Sequence, residues 1–244
     1  MEKQLNQLVE KAQGAFGNRL KSIVLYGSAA RGEYEAGYSD LNVLCVLSTI
    51  GALELAAAEP ILNWWRELGH PSPLLLSEEE VATSTDCFPI EFHDIRAQHR
   101  ILFGGDLVAG IAIDDKYYRA QVEYQLRSKL LRLRQKAGGV LSHRDLLGRL
   151  LCESVTTFVL LMRHALALAG TPAESLARRE TISQAAQRFG LDAAPFHELL
   201  DVREGKRKER ELDPSRLFPI YLKQIDLLVR AVDSFGRPPE STVS

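Results

Sequence analysis

Cysteine is scarce in this chain, which has only Cys45, Cys87 and Cys152 among its 244 residues. An odd number of cysteines without CxxC spacing argues against a disulfide framework and against a cysteine-ligated zinc site. All three fall in predicted apolar elements. The cysteine content is therefore that of a protein from a reducing compartment.

Long hydrophobic runs are also lacking. The most apolar segment, residues 155–169, is interrupted by Arg163 and His164. It is also shorter than the roughly 20 apolar residues that cross a bilayer. The polar residues that follow Met1 do not form the apolar stretch of a secretory signal. We therefore expect a cytoplasmic protein with no membrane partner and with a buried helix at this segment.

Neither sign of charge dominates the whole chain. The 30 basic and 32 acidic residues give a net charge of −2, which argues against a dedicated nucleic-acid-binding domain. Residues 1–112, however, carry 8 basic and 15 acidic residues, whereas residues 113–244 carry 22 and 17. This asymmetry is either surface decoration or a means of attracting cations to one half and a polyanion to the other.

The order of predicted elements divides the chain at the same place. In the first half, an N-terminal helix and a helix at 51–69 accompany β-rich segments at 22–26, 41–47, 73–76, 88–95 and 99–103. The second half is helical, with segments at 115–137, 142–169, 174–189, 195–203 and 215–235. We predict an α+β fold in which a mixed-sheet domain at 1–112 is followed by an all-α helical bundle domain at 113–244.

Residues 25–46, with the sequence LYGSAARGEYEAGYSDLNVLCV, place chemistry-bearing residues at the ends of two predicted strands. Gly27 permits backbone amides to approach a phosphate closely, and Ser28 adds a hydroxyl donor. Asp40 and Asn42 lie two residues apart at the start of the second strand. Because strand period is two, both oxygen-bearing side chains lie on one face, as metal ligands require.

A further acid, Glu91, lies in the apolar segment 88–95 (FPIEFHDI), which we predict to be a strand. A charge in such a segment is costly to bury alone, and a bound cation would compensate it. His93 would share the strand face of Glu91, and we favour a hydrogen-bonded structural histidine there over a catalytic base.

Four elements of this pattern occur in one order: Gly27-Ser28, Ala30-Arg31-Gly32, Ser39-Asp40 and Glu91. Together they resemble the nucleotidyltransferase superfamily typified by DNA polymerase beta, and in size its small bacterial kanamycin-type and minimal members. The resemblance covers residues 18–103 by motif and the helical half only by general architecture. Superfamily members have a Gly-Ser turn after a strand, a Ser-Asp pair, a second Asp two residues on and a third carboxylate on a later strand.

The resemblance implies a reaction and a nucleotide site. Gly27 and Ser28 would hold the triphosphate of a nucleotide, and Arg31 would contact a phosphate oxygen or fix the turn. Ser39 would be a further nucleotide-binding residue. The implied reaction transfers a nucleoside monophosphate from a nucleoside triphosphate to a small-molecule or protein hydroxyl and releases pyrophosphate. In the superfamily this displacement uses metal ions that orient the attacking oxygen and offset charge on the leaving group.

The resemblance also implies that Asp40 and Glu91 are catalytic, and that Asp40, Asn42 and Glu91 ligate Mg²⁺ or Mn²⁺. Asn42 departs from the pattern, since the superfamily has its second Asp there, and Mg²⁺ favours anionic oxygen ligands. Three alternatives follow: a transferase with altered metal use, a transferase that recruits another acid, or a catalytically impaired nucleotide-binding or regulatory, antitoxin-like protein. The acids considered for recruitment are Glu33, Glu35 and Asp94.

Arg119, Glu123 and Arg127 follow one another at a spacing of four near the start of the helical half, so they share a helix face. That face is either an ion-pair ladder or a surface at which Arg119 and Arg127 bind the nucleotide triphosphate. The partners predicted overall are a nucleoside triphosphate and an acceptor that the sequence does not identify. Nucleic acid is not expected, and a homodimer is left open.

Overall fold

The computed structural model describes residues 1–30, 32, 40–173 and 176–235. The chain divides into two compact units, Met1–Lys116 and Tyr117–Ser244. In the part of the chain that is described, the first unit combines helices with a four-stranded sheet, and the second is helical. The α+β fold class predicted from the sequence is confirmed.

The first unit builds a mixed sheet with strand order β3-β2-β1-β4. Strand β1 is antiparallel to both β2 and β4, whereas β2 and β3 are parallel. The elements in chain order are α1 (Glu2–Phe16), β1 (Leu20–Tyr26), β2 (Asn42–Leu47), α2 (Ala52–Glu67), β3 (Leu74–Ser77), α3 (Glu78–Thr83), α4 (Pro89–Ala97) and β4 (His99–Gly104).

Successive side chains of the two central strands point to opposite faces of the sheet, and both faces are buried. Ile23 and Leu25 of β1 belong to a core with the apolar residues of α1 and α2. Val24 of β1, with Leu44 of β2, belongs to a second core with Phe92 and other residues of α3 and α4. Near-continuous apolar strands are typical of a sheet covered on both sides.

The segment predicted as a strand at 88–95 is instead the helix α4, so that prediction is wrong. Pro89 occupies the first turn of the helix, where its missing N–H costs no intrahelical bond and its fixed φ suits the helix. Ile90, Phe92 and Ile95 are buried, and Phe92 and Ile95 belong to the second core. Glu91 is therefore carried by a helix and not by a strand.

Helix α3 has no counterpart among the sequence predictions. Ser77 begins it with a capping box, in which its Oγ accepts from the backbone N–H of Glu80 at 3.1 Å. The Glu80 carboxylate in turn accepts from the Ser77 N–H at 2.8 Å. The sequence Ser-Glu-Glu-Glu carries this signal, because Ser followed by Glu three residues later is typical of a helix start.

The second unit is organised around the long helix α6, which packs against α5, α7, α8 and α9. Its buried residues include Leu151, Val155, Phe158 and Met162. The helices are α5 (Tyr118–Gly138), α6 (Arg144–Leu168), α7 (Arg178–Phe189), α8 (Ala194–Arg203) and α9 (Pro214–Ser234).

Helix α6 is long and apolar enough to cross a membrane by length and composition. Its most apolar 18-residue window is 67% buried inside the structure, as in the core helix of a bundle. The window is apolar because neighbouring helices surround it, so length and composition alone are weak grounds for a membrane span.

The three cysteines are free thiols. Cys45 and Cys152 are buried, and burial raises the pKa of each to about 12. Cys87 is exposed and lies between α3 and α4, outside both helices.

Candidate functional site

The candidate site begins where strands β1 and β2 end side by side. The antiparallel register pairs Tyr26, the last residue of β1, with Asn42, the first residue of β2. Gly27 follows with φ of +78°, and a Cβ added there would lie 3.1 Å from the Asn42 Nδ2. Glycine is favoured at this position both by the backbone conformation and by the side chain packed against it.

The turn after Gly27 is anchored by a residue that packs in the core of the first unit. Ala29 is buried in the core that α1 and α2 share with the sheet, and its carbonyl oxygen accepts from the Gly32 N–H at 3.3 Å. Ser28 is half-buried at the start of this turn. The predicted nucleotide-binding residues Arg31 and Ser39, and the acids Glu33 and Glu35, lie outside the described residues.

Asp40 and Asn42 flank Leu41, which is completely buried and fixes the entry of the chain into β2. Asp40 is exposed and Asn42 is half-buried. Asp40 interacts electrostatically with His70, whose pKa is lowered mainly by burial and partly restored by the Asp40 charge. The His70 ring packs on Trp65 with ring centroids 4.7 Å apart.

Glu91 reaches the same end of the sheet from helix α4. The pKa of Tyr26 is raised to about 12, mainly by burial and in part by the negative charges of Glu91 and Asp94. These charges therefore lie within electrostatic reach of the phenol that pairs in register with Asn42. The helix thus brings to the site the carboxylates that the sequence assigned to a strand.

Two histidine–aspartate pairs lie beside this cluster. The His93 Nε2 is 2.6 Å from an Asp115 carboxylate oxygen. Because α4 is a helix, successive side chains are 100° apart, so His93 does not share the face of Glu91 as predicted. The His99 Nε2 is 3.0 Å from Asp106, and this hydrogen bond is the main reason that the pKa of Asp106 is lowered.

The oxygen donors of this end of the sheet are sparse for a metal centre. Within residues 1–30, 32, 40–173 and 176–235, no group of three or more His, Cys, Asp or Glu side chains could hold a metal ion. The later strands β3 (LLLS) and β4 (HRILFG) carry no carboxylate at all. At the strand ends themselves the donors are the Asp40 carboxylate and the neutral Asn42 amide, a set that needs phosphate and water oxygens to complete the coordination of one Mg²⁺ and that does not make a site of three carboxylates.

Arg119 and Arg127 of α5 form an ion-pair ladder. Both donate to the Glu123 carboxylate at 2.7 Å, and Arg127 also approaches Asp233 of α9 at 3.5 Å. The two hydrogen bonds and the two positive charges hold the pKa of Glu123 below its usual range although burial opposes this. Their predicted role as nucleotide ligands stays a prediction.

Comparisons with known proteins bear on the fold. No protein-family model matches the chain, and no curated protein sequence matches it either. Among solved structures, the chain is similar to a spectinomycin adenyltransferase from Enterococcus faecialis determined with ATP and spectinomycin. That match has a TM-score of 0.62 and 12% identity, and it covers 96% of this chain and 100% of the other.

A further match is to a toxin–antitoxin structure with AMP-PNP, with a TM-score of 0.29 and 17% identity over 41% of this chain and 73% of the other. This overlap is too partial to carry an argument. The adenyltransferase match extends over both units, and it shows that the chain has the nucleotidyltransferase fold.

Proposed function

We propose that this protein transfers a nucleoside monophosphate from a nucleoside triphosphate to a hydroxyl group of a small molecule and releases pyrophosphate. One observation carries the proposal: the Gly27 turn lies beside the Asn42 side chain, with Asp40 two residues away, at the end of the central strands of a nucleotidyltransferase fold. A small-molecule acceptor is supported by the similar adenyltransferase, which was determined with ATP and spectinomycin.

The turn that begins at Gly27 is the proposed triphosphate site. Glycine adopts the left-handed backbone of this turn without steric cost, and in the proposed site the backbone amides of the turn bind the phosphate chain. Ser28 adds a hydroxyl that donates to a phosphate oxygen. Ala29 is buried beneath the turn and holds it in place, so these donors need little reorganisation when the nucleotide binds.

Asp40 and Asn42 are the residues that would hold a divalent cation. Such an ion supplies neutralisation of phosphate charge and polarisation of the α-phosphoryl group when it is bound. With one anionic and one neutral protein ligand, most of the remaining coordination would come from nucleotide and water oxygens, as is usual for Mg²⁺.

In the proposed reaction, the acceptor oxygen forms a bond to the α-phosphorus while the bond to the oxygen bridging to the β-phosphate breaks. The acceptor proton passes to a carboxylate, for which Glu91 and Asp94 near Tyr26 are the candidates. The electron pair of the broken bond leaves with pyrophosphate. Atoms and charge therefore balance without a further reactant.

The test measures pyrophosphate release and product mass for each of the four nucleoside triphosphates with Mg²⁺ or Mn²⁺, across a panel of aminocyclitol and other polyhydroxylated acceptors. Asp40→Asn is expected to lower the rate at least about 100-fold, because it removes charge stabilisation at the reacting phosphate. Asn6→Asp adds one negative charge at an exposed position of α1, and it is the matched control for the Asn42→Asp variant described below. The absence of turnover with every nucleotide, metal and acceptor would contradict the proposal.

A second candidate is nucleotide binding without transfer. It rests on the neutral Asn42 and on the absence of carboxylates on β3 and β4, which leaves a donor set weaker than that of a three-carboxylate centre. Asn42→Asp separates the two candidates. If the wild type binds nucleotide but only the variant turns over, binding is the function; if the variant lowers an existing rate, the neutral ligand belongs to the enzyme.

A further inference from the structure

The second unit contains a cavity of about 230 Å³ between helices α5 and α6. Its rim on α5 is formed by Lys129, Arg132 and Lys136, which recur at spacings of three and four and so share a helix face. The cavity lies wholly within the helical unit and uses none of the residues of the candidate nucleotide site.

The six cations of α5 divide into two groups. Arg119, Arg127 and Arg134 are paired with acids, Arg134 with Asp226 at 2.8 Å. Lys129, Arg132 and Lys136 have no ion pair or hydrogen bond to any residue that the structure describes. The cations that line the cavity are therefore the ones on this helix whose charge is left uncompensated.

The opposite wall adds hydrogen-bonding groups above an apolar floor. Ser154 and Thr157 of α6 are its polar lining residues, although the Ser154 hydroxyl already donates to the Leu151 carbonyl oxygen at 2.9 Å, and Leu133, Leu150 and Phe158 form its apolar lining. Glu153 is the one acid on the wall, so the lining carries a net charge of +2 from three cations and one carboxylate. A ligand suited to this lining is an anion with several oxygen acceptors.

We infer that this cavity binds a small polyanion of the diphosphate or triphosphate class. Lysine ammonium groups bind phosphate as point charges, and an arginine guanidinium can engage two phosphate oxygens at once. The cavity is smaller than the usual range of about 300–1,000 Å³ for drug-sized ligands, which favours a phosphate chain over an entire nucleotide within it. The chain is either free polyphosphate or the phosphate part of a nucleotide whose nucleoside stays outside.

The experiment maps the site directly by acetylation of lysines followed by mass spectrometry, on the full-length protein. The probes are tripolyphosphate, ATP and adenosine, and the exposed Lys223 of α9 is the internal reference. At a probe concentration about ten times its Kd, acetylation of Lys129 and Lys136 should slow about tenfold while that of Lys223 is unchanged. Protection by tripolyphosphate identifies the free chain as a ligand, and protection by ATP alone identifies a nucleotide.

Calorimetry with matched triple variants supplies the second readout. The cavity variant K129Q/R132Q/K136Q should bind tripolyphosphate at least about tenfold more weakly, because three charge-assisted contacts are lost. The control variant R149Q/K223Q/R230Q removes the same charge from exposed positions outside the cavity and should bind as the wild type does.

Three results would overturn the inference: no protection of Lys129 and Lys136 by any phosphate probe, protection by adenosine, or equal weakening in the two triple variants. Failure of nucleotidyl transfer would leave it standing, because the readout reports lysines of the helical unit and not turnover.

Discussion

At the scale of single residues, Gly27 is constrained both by its backbone conformation and by a neighbouring side chain. Its φ of +78° lies in the left-handed region, and an added Cβ would press on the Asn42 side chain at 3.1 Å. We expect Gly27→Ala to cost about 1–2 kcal/mol of the free energy of unfolding, from backbone conformation alone, and to weaken nucleotide binding. Urea denaturation and calorimetry with a non-hydrolysable nucleotide measure the two effects.

Gly14→Ala is the matched control for that substitution. Gly14 lies within α1, and an added Cβ there would meet nothing within 4 Å. Alanine in a helix interior is favoured over glycine by roughly 0.5–1 kcal/mol, so this variant should be more stable than the wild type. Equal effects at the two positions would contradict the account of the Gly27 turn.

His70 makes stability depend on pH. Burial against Trp65 lowers its pKa below the ordinary value of 6.5, so the unfolded chain binds the proton more readily than the folded one. The stabilisation from the neutral ring is therefore complete above pH 6.5 and is lost as the pH falls through the folded pKa.

His70→Phe removes this titration, so unfolding free energy should fall less steeply between pH 6.5 and 5 in the variant than in the wild type, as measured by urea denaturation at each pH. His197, whose pKa burial also lowers, supplies a remaining part of the slope. The double variant with His197→Phe should be flatter still. An unchanged slope in both variants would contradict the assignment.

At the scale of elements, the capping box of α3 is a local device with a measurable effect. Ser77→Ala removes the acceptor of the Glu80 N–H and leaves that donor without its side-chain partner. We expect a loss of about 1 kcal/mol in unfolding free energy. Ser183→Ala, in the interior of α7 on an exposed face, removes a hydroxyl that only donates to the Arg179 carbonyl and should be close to neutral. A Ser77 variant as stable as the Ser183 variant would contradict the cap.

The sheet could be predicted from the sequence because β1 and β2 are mainly apolar with two β-branched residues each, and because Gly27 follows the first of them. Segment 88–95 could not be placed by the same reasoning. Eight residues with apolar side chains at 88, 90, 92 and 95 satisfy both strand and helix periods, and only Pro89 points to a helix start. Pro89, and not the apolar pattern, is therefore the feature of this segment that distinguishes a helix from a strand.

The candidate site could also be predicted only in part. Gly27, Asp40 and Asn42 sit at strand ends, where local sequence fixes position, and the structure brings Gly27 and Asn42 into contact. The approach of Glu91 and Asp94 to Tyr26 depends on how α4 packs on the sheet. Such a contact between distant segments leaves no periodic signal in a single sequence.

At the scale of the whole molecule, the net charge of −2 is the sum of two unlike units. Residues 1–116 carry 9 basic and 17 acidic residues, and residues 117–244 carry 21 and 15. The acidic balance belongs to the sheet unit and the basic balance to the helical unit, which holds the uncompensated cations of α5. Charge of this kind governs which ions and ligands each unit concentrates around itself.

Each unit also has its own buried core, so we propose that each folds as a separate domain. Fragments 1–116 and 117–244 should each unfold cooperatively in urea, because the sheet cores lie within the first and the packing around α6 within the second. Far-UV circular dichroism should show the second fragment to be predominantly helical. At pH 7 an anion exchanger should retain the first fragment and a cation exchanger the second. A fragment 117–244 without a cooperative transition would show that α6 needs the sheet unit to fold, and the domain division would then be wrong.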